Sequence, residues 1–172
     1  MIAGGKLIKA RVSVGRKCNV VPPNADKHWG CPRRDQCDFA HGIDELTGEG
    51  KAAFLREQEQ LKNRGYHLVI LSNCKASYRE AHWKEFGMER WFDRFYDCES
   101  YRFRPKTEIV QEIIREYSGP YLVVGDRRQD LECARSCKSP FIGCLYGYGE
   151  KGELNGADYY AEHIEDILQM VI

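Results

Sequence analysis

Two groups of polar residues in this chain have the types and the spacing to do chemistry. The first is Ser72, Lys106, Asp126 and Asp130. Ser72 closes the run Tyr66-His67-Leu68-Val69-Ile70-Leu71, Lys106 opens a helical segment, and the two acids follow Tyr121-Leu122-Val123-Val124-Gly125. Together they offer a hydroxyl, an ammonium and two carboxylates. Each also has a plain structural reading. Ser72 and Asp126 could cap helices, Lys106 could lie on the surface, and Asp130 could be a first-turn acid favoured by the helix dipole. The second group is Cys18, Cys31, Cys37 and His41, spaced Cys-x12-Cys-x5-Cys-x3-His. Three thiolates and one imidazole make a closed tetrahedral zinc set, structural rather than catalytic. His28 is an alternative to Cys18.

The elements that must position these residues follow from periodicity. Leu7 to Val14 alternates weakly and reads as a short strand, whereas Asn19 to Asp44 has neither helical nor strand period. Such a segment cannot bury enough apolar surface by itself, so a metal or a neighbouring protein must hold it. From Thr47 or Gly48, Phe54, Leu55, Gln58 and Leu61 recur at helical spacing, and Gly65 is a stop. His67 to Leu71 reads as a buried strand. A helix over Ser77 to Phe86, the aromatic segment Trp91 to Tyr96 and a helix from Thr107 to Tyr117 come next. The strand Tyr121 to Val124 leads into a helix over Gln129 to Cys137. Phe141 to Leu145 reads as another strand, Tyr159-Tyr160-Ala161 as a short last one, and His163 to Met170 as a closing helix. Strands alternating with helices predict an α/β fold, a doubly wound parallel sheet with right-handed crossovers. Binding groups collect beyond the carboxyl ends of such strands, the edge at which Ser72 and Asp126 fall and which Lys106 approaches from a loop. The division expected is a small segment over 1–46 and an α/β domain over 47–172.

Length and composition fit that division. The chain has 172 residues, of which 42% are hydrophobic, enough for one medium domain with a real core beside a small module. The formal net charge is zero, but Met1 to Ile43 holds eight Lys and Arg against three Asp and Glu. A basic head on an acidic body suggests an anionic partner for the head. Met1 to Ala10 lacks the apolar core of a signal peptide, and no later stretch is apolar enough to span a membrane. An intracellular, reducing location is therefore expected, in which Cys74, Cys98, Cys133, Cys137 and Cys144 are small buried hydrophobes.

From roughly Gly50 to Ile172 the chain resembles the haloacid dehalogenase (HAD) superfamily. The resemblance is carried by Leu71-Ser72-Asn73-Cys74, Pro105-Lys106-Thr107-Glu108-Ile109 and Val124-Gly125-Asp126-Arg127-Arg128-Gln129-Asp130. The tail from Phe141-Ile142-Gly143 through Tyr146-Gly147-Tyr148-Gly149 to Ala157-Asp158-Tyr159 is similar to phosphoglycolate-phosphatase-type members. The resemblance implies that Ser72 hydrogen-bonds a transferring phosphoryl group and that Lys106 neutralises its oxygens. It further implies that Asp126 helps bind Mg²⁺ and that Asp130 orients the lysine or the metal waters. HAD phosphatases attack phosphate with the first aspartate of a DxDGT segment, and no such segment precedes Ser72 here. The upstream acids Asp26, Asp35, Asp38, Asp44 and Glu45 follow no β-run, and the usual cap domain is missing. The resemblance therefore implies a phosphatase fold impaired in catalysis, with weakened Mg²⁺ binding. The alternative is an active Mg²⁺-dependent phosphomonoester hydrolase that uses an unrecognised acid or a strand from another chain.

The string from Cys31 to Leu46 closely resembles a tristetraprolin-type CCCH zinc finger. That family binds single-stranded RNA by stacking bases on aromatic rings. It implies Phe39 and Trp29 as stacking residues and Arg33 and Arg34, with Arg16, Lys17 and Lys27, as phosphate partners. Contact with another protein is the other use the resemblance allows.

Overall fold

The computed structural model describes residues 7–9, 48–85, 87–147, 149–150 and 152–171. Cys18, Cys31, Cys37, His41, Phe39, Arg33 and Arg34 lie outside them. Among the described residues, six strands form one parallel sheet in the order β3-β2-β1-β4-β5-β6. They are β1 (Leu7–Lys9), β2 (His67–Ser72), β3 (Arg94–Asp97), β4 (Tyr121–Gly125), β5 (Phe141–Cys144) and β6 (Tyr159–Ala161). The helices are α1 (Gly48–Asn63), α2 (Ala76–Glu85), α3 (Lys106–Glu116), α4 (Arg128–Ser136) and α5 (Asp166–Met170). A 3-10 turn, Met88–Arg90, precedes β3. No helix among the described residues is long and apolar enough to cross a membrane.

The core shows why the sheet is wound on both sides. Along β2, Leu68 and Ile70 face a cluster with Leu61 of α1 and Ile167 of α5. Val69 and Leu71 face the opposite cluster, with Ile109, Val110 and Ile113 of α3 and Cys133 of α4. Alternate side chains of one strand thus need two helical layers, and the strand reads as a continuous apolar run. The aromatic segment, to which sequence periodicity assigns no element, ends in β3. There Phe95 and Tyr96 are buried on opposite faces, in those same two clusters. Cys98, Cys133 and Cys144 are buried as expected, while Cys74 and Cys137 are half-buried.

Two connections matter for the site. Gly65 closes α1 with φ +79, and its N–H bonds the Lys62 carbonyl while Tyr66 N–H bonds that of Leu61, at 2.9 and 3.1 Å. This is a Schellman end, which turns the chain directly into β2. β1 lies between β2 and β4, with Lys9 paired to both Val69 and Val123. It is the central strand of the sheet.

Helix α1 also clamps the C-terminal helix. Glu57 Oε1 accepts the Leu168 N–H at 3.0 Å, and Arg64 donates to the carbonyls of Leu168 and Val171 at 3.1 and 3.0 Å. Glu57 Oε2 is buried with no hydrogen-bond partner among the described residues. Burial raises the Glu57 carboxyl from its ordinary 4.5 to about 7, the Leu168 hydrogen bond opposes this, and Glu165 and Asp166 add to the rise. A folded pKa above the unfolded one means that this group's contribution is fully present below about 4.5. It declines as pH rises and is gone above about 7. Thermal melts should therefore show the native protein losing more stability between those values than Glu57→Gln, and parallel curves would refute this account.

Candidate active site

Ser72, Lys106, Asp126 and Asp130 reach one edge of the sheet by four different routes. Ser72 is the last residue of β2, paired with Asp97 of β3. Asp126 follows the last residue of β4, and Asp130 stands in the first turn of α4. Lys106 is the first residue of α3, one position earlier than the sequence suggests. The plain structural readings are corrected for three of the four. The residue at the N-cap of α4 is Arg127, so Asp126 is not the cap. Ser72 lies inside a strand, well before α2 begins. Lys106 is 6% exposed, not a surface residue. Asp130 is a first-turn acid, but one that is 0% exposed.

The reason for that burial is an ion pair. Lys106 Nζ donates to Asp130 Oδ1 at 2.8 Å, with both side chains almost wholly out of water. Each charge makes the other tolerable, and a buried ammonium held at a helix start is placed to meet a further anion. Asp126 is buried too, and the Cys144 thiol feels the charge of both acids. Three glycines make room for these acids. A Cβ on Gly125 would come within 2.4 Å of the Asp130 Cβ. One on Gly147 would come within 2.1 Å of the Asp126 Cβ, and one on Gly149 within 1.9 Å of the Asp126 carbonyl oxygen. The glycine-rich segment after β5 is thus the surface against which Asp126 packs.

Below the acids the groups are neutral. Burial pushes the Cys144 thiol up to about 12, with Asp126 and Asp130 adding in the same direction. Tyr146 hydrogen-bonds Cys144, and burial raises its hydroxyl as well. Neither carries negative charge at neutral pH. Cys74, beside Ser72, is also raised by burial, although its hydrogen bond to Ser72 opposes the shift. It is therefore a thiol at neutral pH rather than an activated thiolate.

Two functional neighbours escape sequence reasoning. Asn73 Nδ2 donates to Gln129 Oε1 at 2.7 Å, and its Oδ1 accepts from the Cys98 thiol at 3.0 Å. Asn73 therefore ties the turn after Ser72 to α4 and to the end of β3. Asp97 is fully buried, and it accepts from the Ser100 N–H and Oγ at 2.7 and 2.9 Å and from Arg79 at 2.9 Å. Its oxygens are committed to building the loop after β3. The one signal for it was an acid that closes an aromatic run. Among the described residues, no three His, Cys, Asp or Glu side chains gather as a metal-holding group.

A buried lysine–aspartate pair and a second buried acid, at the carboxyl edge of a doubly wound sheet, coincide with a sequence-family match. The family model described as haloacid dehalogenase-like hydrolase matches residues 55–144, more than half of the chain. This chain belongs to that family.

Solved structures carry the same fold. The HAD-like chain superposes on a protein described as a predicted phosphatase from Clostridium acetobutylicum with a TM-score of 0.63 and 21% identity, covering 69% of this chain and 58% of that one. A predicted phosphoglycolate phosphatase from Haemophilus somnus gives a TM-score of 0.61 and 22% identity, over 69% and 55% of the two chains. CbbY from Rhodobacter sphaeroides in complex with phosphate gives 0.57 and 17%, over 67% and 54%. The chain thus spans little more than half the length of these structures. No curated protein matches it.

Proposed function

We propose that this HAD-like domain binds the phosphate of a phosphorylated small molecule between Ser72, Lys106 and Asp126, is impaired in phosphoryl transfer, and acts in binding or scaffolding. The observation that carries this reading is the buried Lys106–Asp130 pair together with the buried Asp126. It supplies a fixed cation and an acid at the carboxyl edge of the sheet, and CbbY, a solved structure of the same fold, is described as a complex with phosphate. The impairment is read from the sequence after the central strand. β1 is followed by Ala10-Arg11-Val12-Ser13-Val14, and no Asp or Glu precedes Asp26. Loss of a catalytic unit's nucleophile commonly costs on the order of 10⁴–10⁶ in rate.

Mg²⁺ fits this set of residues weakly. Asp130 is engaged by Lys106, which leaves Asp126 as the carboxylate for a hard cation that usually takes one or two, with phosphate oxygens and waters filling the rest. Mg²⁺ would be held here mainly together with a bound phosphate, and it would neutralise that phosphate's charge. Lys106 holds the anion with or without it.

The second reading, an active Mg²⁺-dependent phosphomonoesterase, is favoured by the same intact buried set, with the nucleophile drawn from Asp26, Asp35, Asp38, Asp44, Glu45 or another chain. Titration calorimetry with inorganic phosphate, run beside a turnover assay with phenyl phosphate and Mg²⁺, separates the two. Phosphate binding without turnover is expected. Vigorous turnover abolished by Asp126→Asn would establish the second reading instead.

For the basic head we propose a structural zinc site of the CCCH type at Cys18, Cys31, Cys37 and His41. The spacing supports it, with single-stranded RNA (through Phe39, Arg33 and Arg34) or another protein as the partner. Metal analysis of protein purified without chelator should find about one zinc per chain. Finding none rejects the site.

A further inference from the structure

The loop from Cys98 to Pro105 joins the carboxyl end of β3 to Lys106, and it is strained. Arg102 and Phe103 are consecutive non-glycine residues at φ +57 and +55. That left-handed region is disfavoured for any side chain bearing a Cβ, and persists where surrounding contacts over-determine it. Those contacts are present. Asp97 holds Ser100 by two hydrogen bonds, and Phe103 N–H bonds the Cys98 carbonyl at 2.7 Å. Arg104 lies over the Tyr101 ring, 5.5 Å from its centroid, and is ion-paired with Glu112.

All this rigidity displays one apolar group. Phe103 is 63% exposed, the most exposed of the large hydrophobic side chains among the described residues. Glycine would take such torsions without cost, so two side chains held there mark a conformation that the surrounding contacts impose. A bare ring held three residues before Lys106, in the loop that leaves the carboxyl edge of the sheet, is the arrangement of a recognition element.

We infer that Phe103 contacts the organic part of the ligand whose phosphate lies at Lys106, and that it selects an aromatic phosphomonoester over a polar aliphatic one. The inference rests on the phosphate-site reading above. A single flat ring with no groove walls favours another ring, stacked with an offset or met edge-on, over an extended alkyl chain. Its rigid loop means that little freedom is lost on contact.

Calorimetric titration of the full chain with inorganic phosphate, phenyl phosphate and phosphoglycolate tests this. The native protein should bind phenyl phosphate about two- to tenfold more tightly than the other two. Phe103→Ala should bind all three alike, with its affinity for inorganic phosphate unchanged. Phe103→Leu keeps an apolar side chain but lacks the ring, and it should lose the preference as well, which decides the matter if the alanine variant fails to fold. Equal binding by the native protein, or a preference that survives in either variant, overturns the inference while leaving the phosphate site intact. Absence of inorganic phosphate binding in the native protein overturns the phosphate-site reading itself, and the inference with it.

Discussion

Lys106→Met should destabilise the domain by roughly 3–5 kcal/mol, because it strips the cation from a carboxylate that is fully buried. For a chain of this size that corresponds to a fall in melting temperature on the order of 10 °C. The double variant Lys106→Met/Asp130→Asn should recover much of the stability, since a neutral pair in the same space no longer carries a buried charge. It should recover none of the phosphate binding. Chemical denaturation of the native protein and the two variants measures the stabilities, and titration with inorganic phosphate measures the binding. A Lys106→Met protein as stable as the native one would mean that the pair is open to water, and the site would lose its fixed cation.

The second large effect concerns Gly125. Its added Cβ would lie 2.4 Å from the Asp130 Cβ and 2.5 Å from Asp130 Oδ2. Neither can give way cheaply. Asp130 is fixed by the first turn of α4 and by Lys106, and Gly125 sits in the sheet, paired with Gly143 of β5. Gly125→Ala should therefore cost about 1–3 kcal/mol from overpacking, and should weaken phosphate binding by moving the lysine's partner. A matched substitution at Gly156, where a Cβ meets nothing within 4 Å, controls for crowding. It retains the cost of its left-handed backbone at φ +93, so lost phosphate binding in Gly125→Ala alone is the result that identifies the site. Unchanged binding in Gly125→Ala would show that Asp130 does not set the lysine's position.

The parts legible in the sequence were those with a strong local signature. The near-continuous run over β2 announced a strand buried on both faces, and Gly65 announced the end of α1. The spacing of Ser72, Lys106, Asp126 and Asp130 along the chain placed them on one edge once the fold class was known. Less was legible where a residue acts through distant partners. No periodicity shows that Asn73 reaches Gln129, 56 positions away. Nor does any show that Asp97 is locked by Arg79 and Ser100. β3 was hidden because four residues offer too short a pattern, and its aromatic side chains fit several environments. Lys106 shows the converse. By composition it reads as a surface cation, and the acid 24 positions later draws it into the interior.

The central claim is that this site holds phosphate but has no carboxylate to attack it. Acid quenching of the protein after incubation with Mg²⁺ and phosphorus-labelled phenyl phosphate, followed by peptide mapping, tests that claim most directly. The account predicts no hydroxylamine-sensitive label on any peptide. An aspartyl phosphate recovered from any position in the chain, and lost in Asp126→Asn, would contradict it.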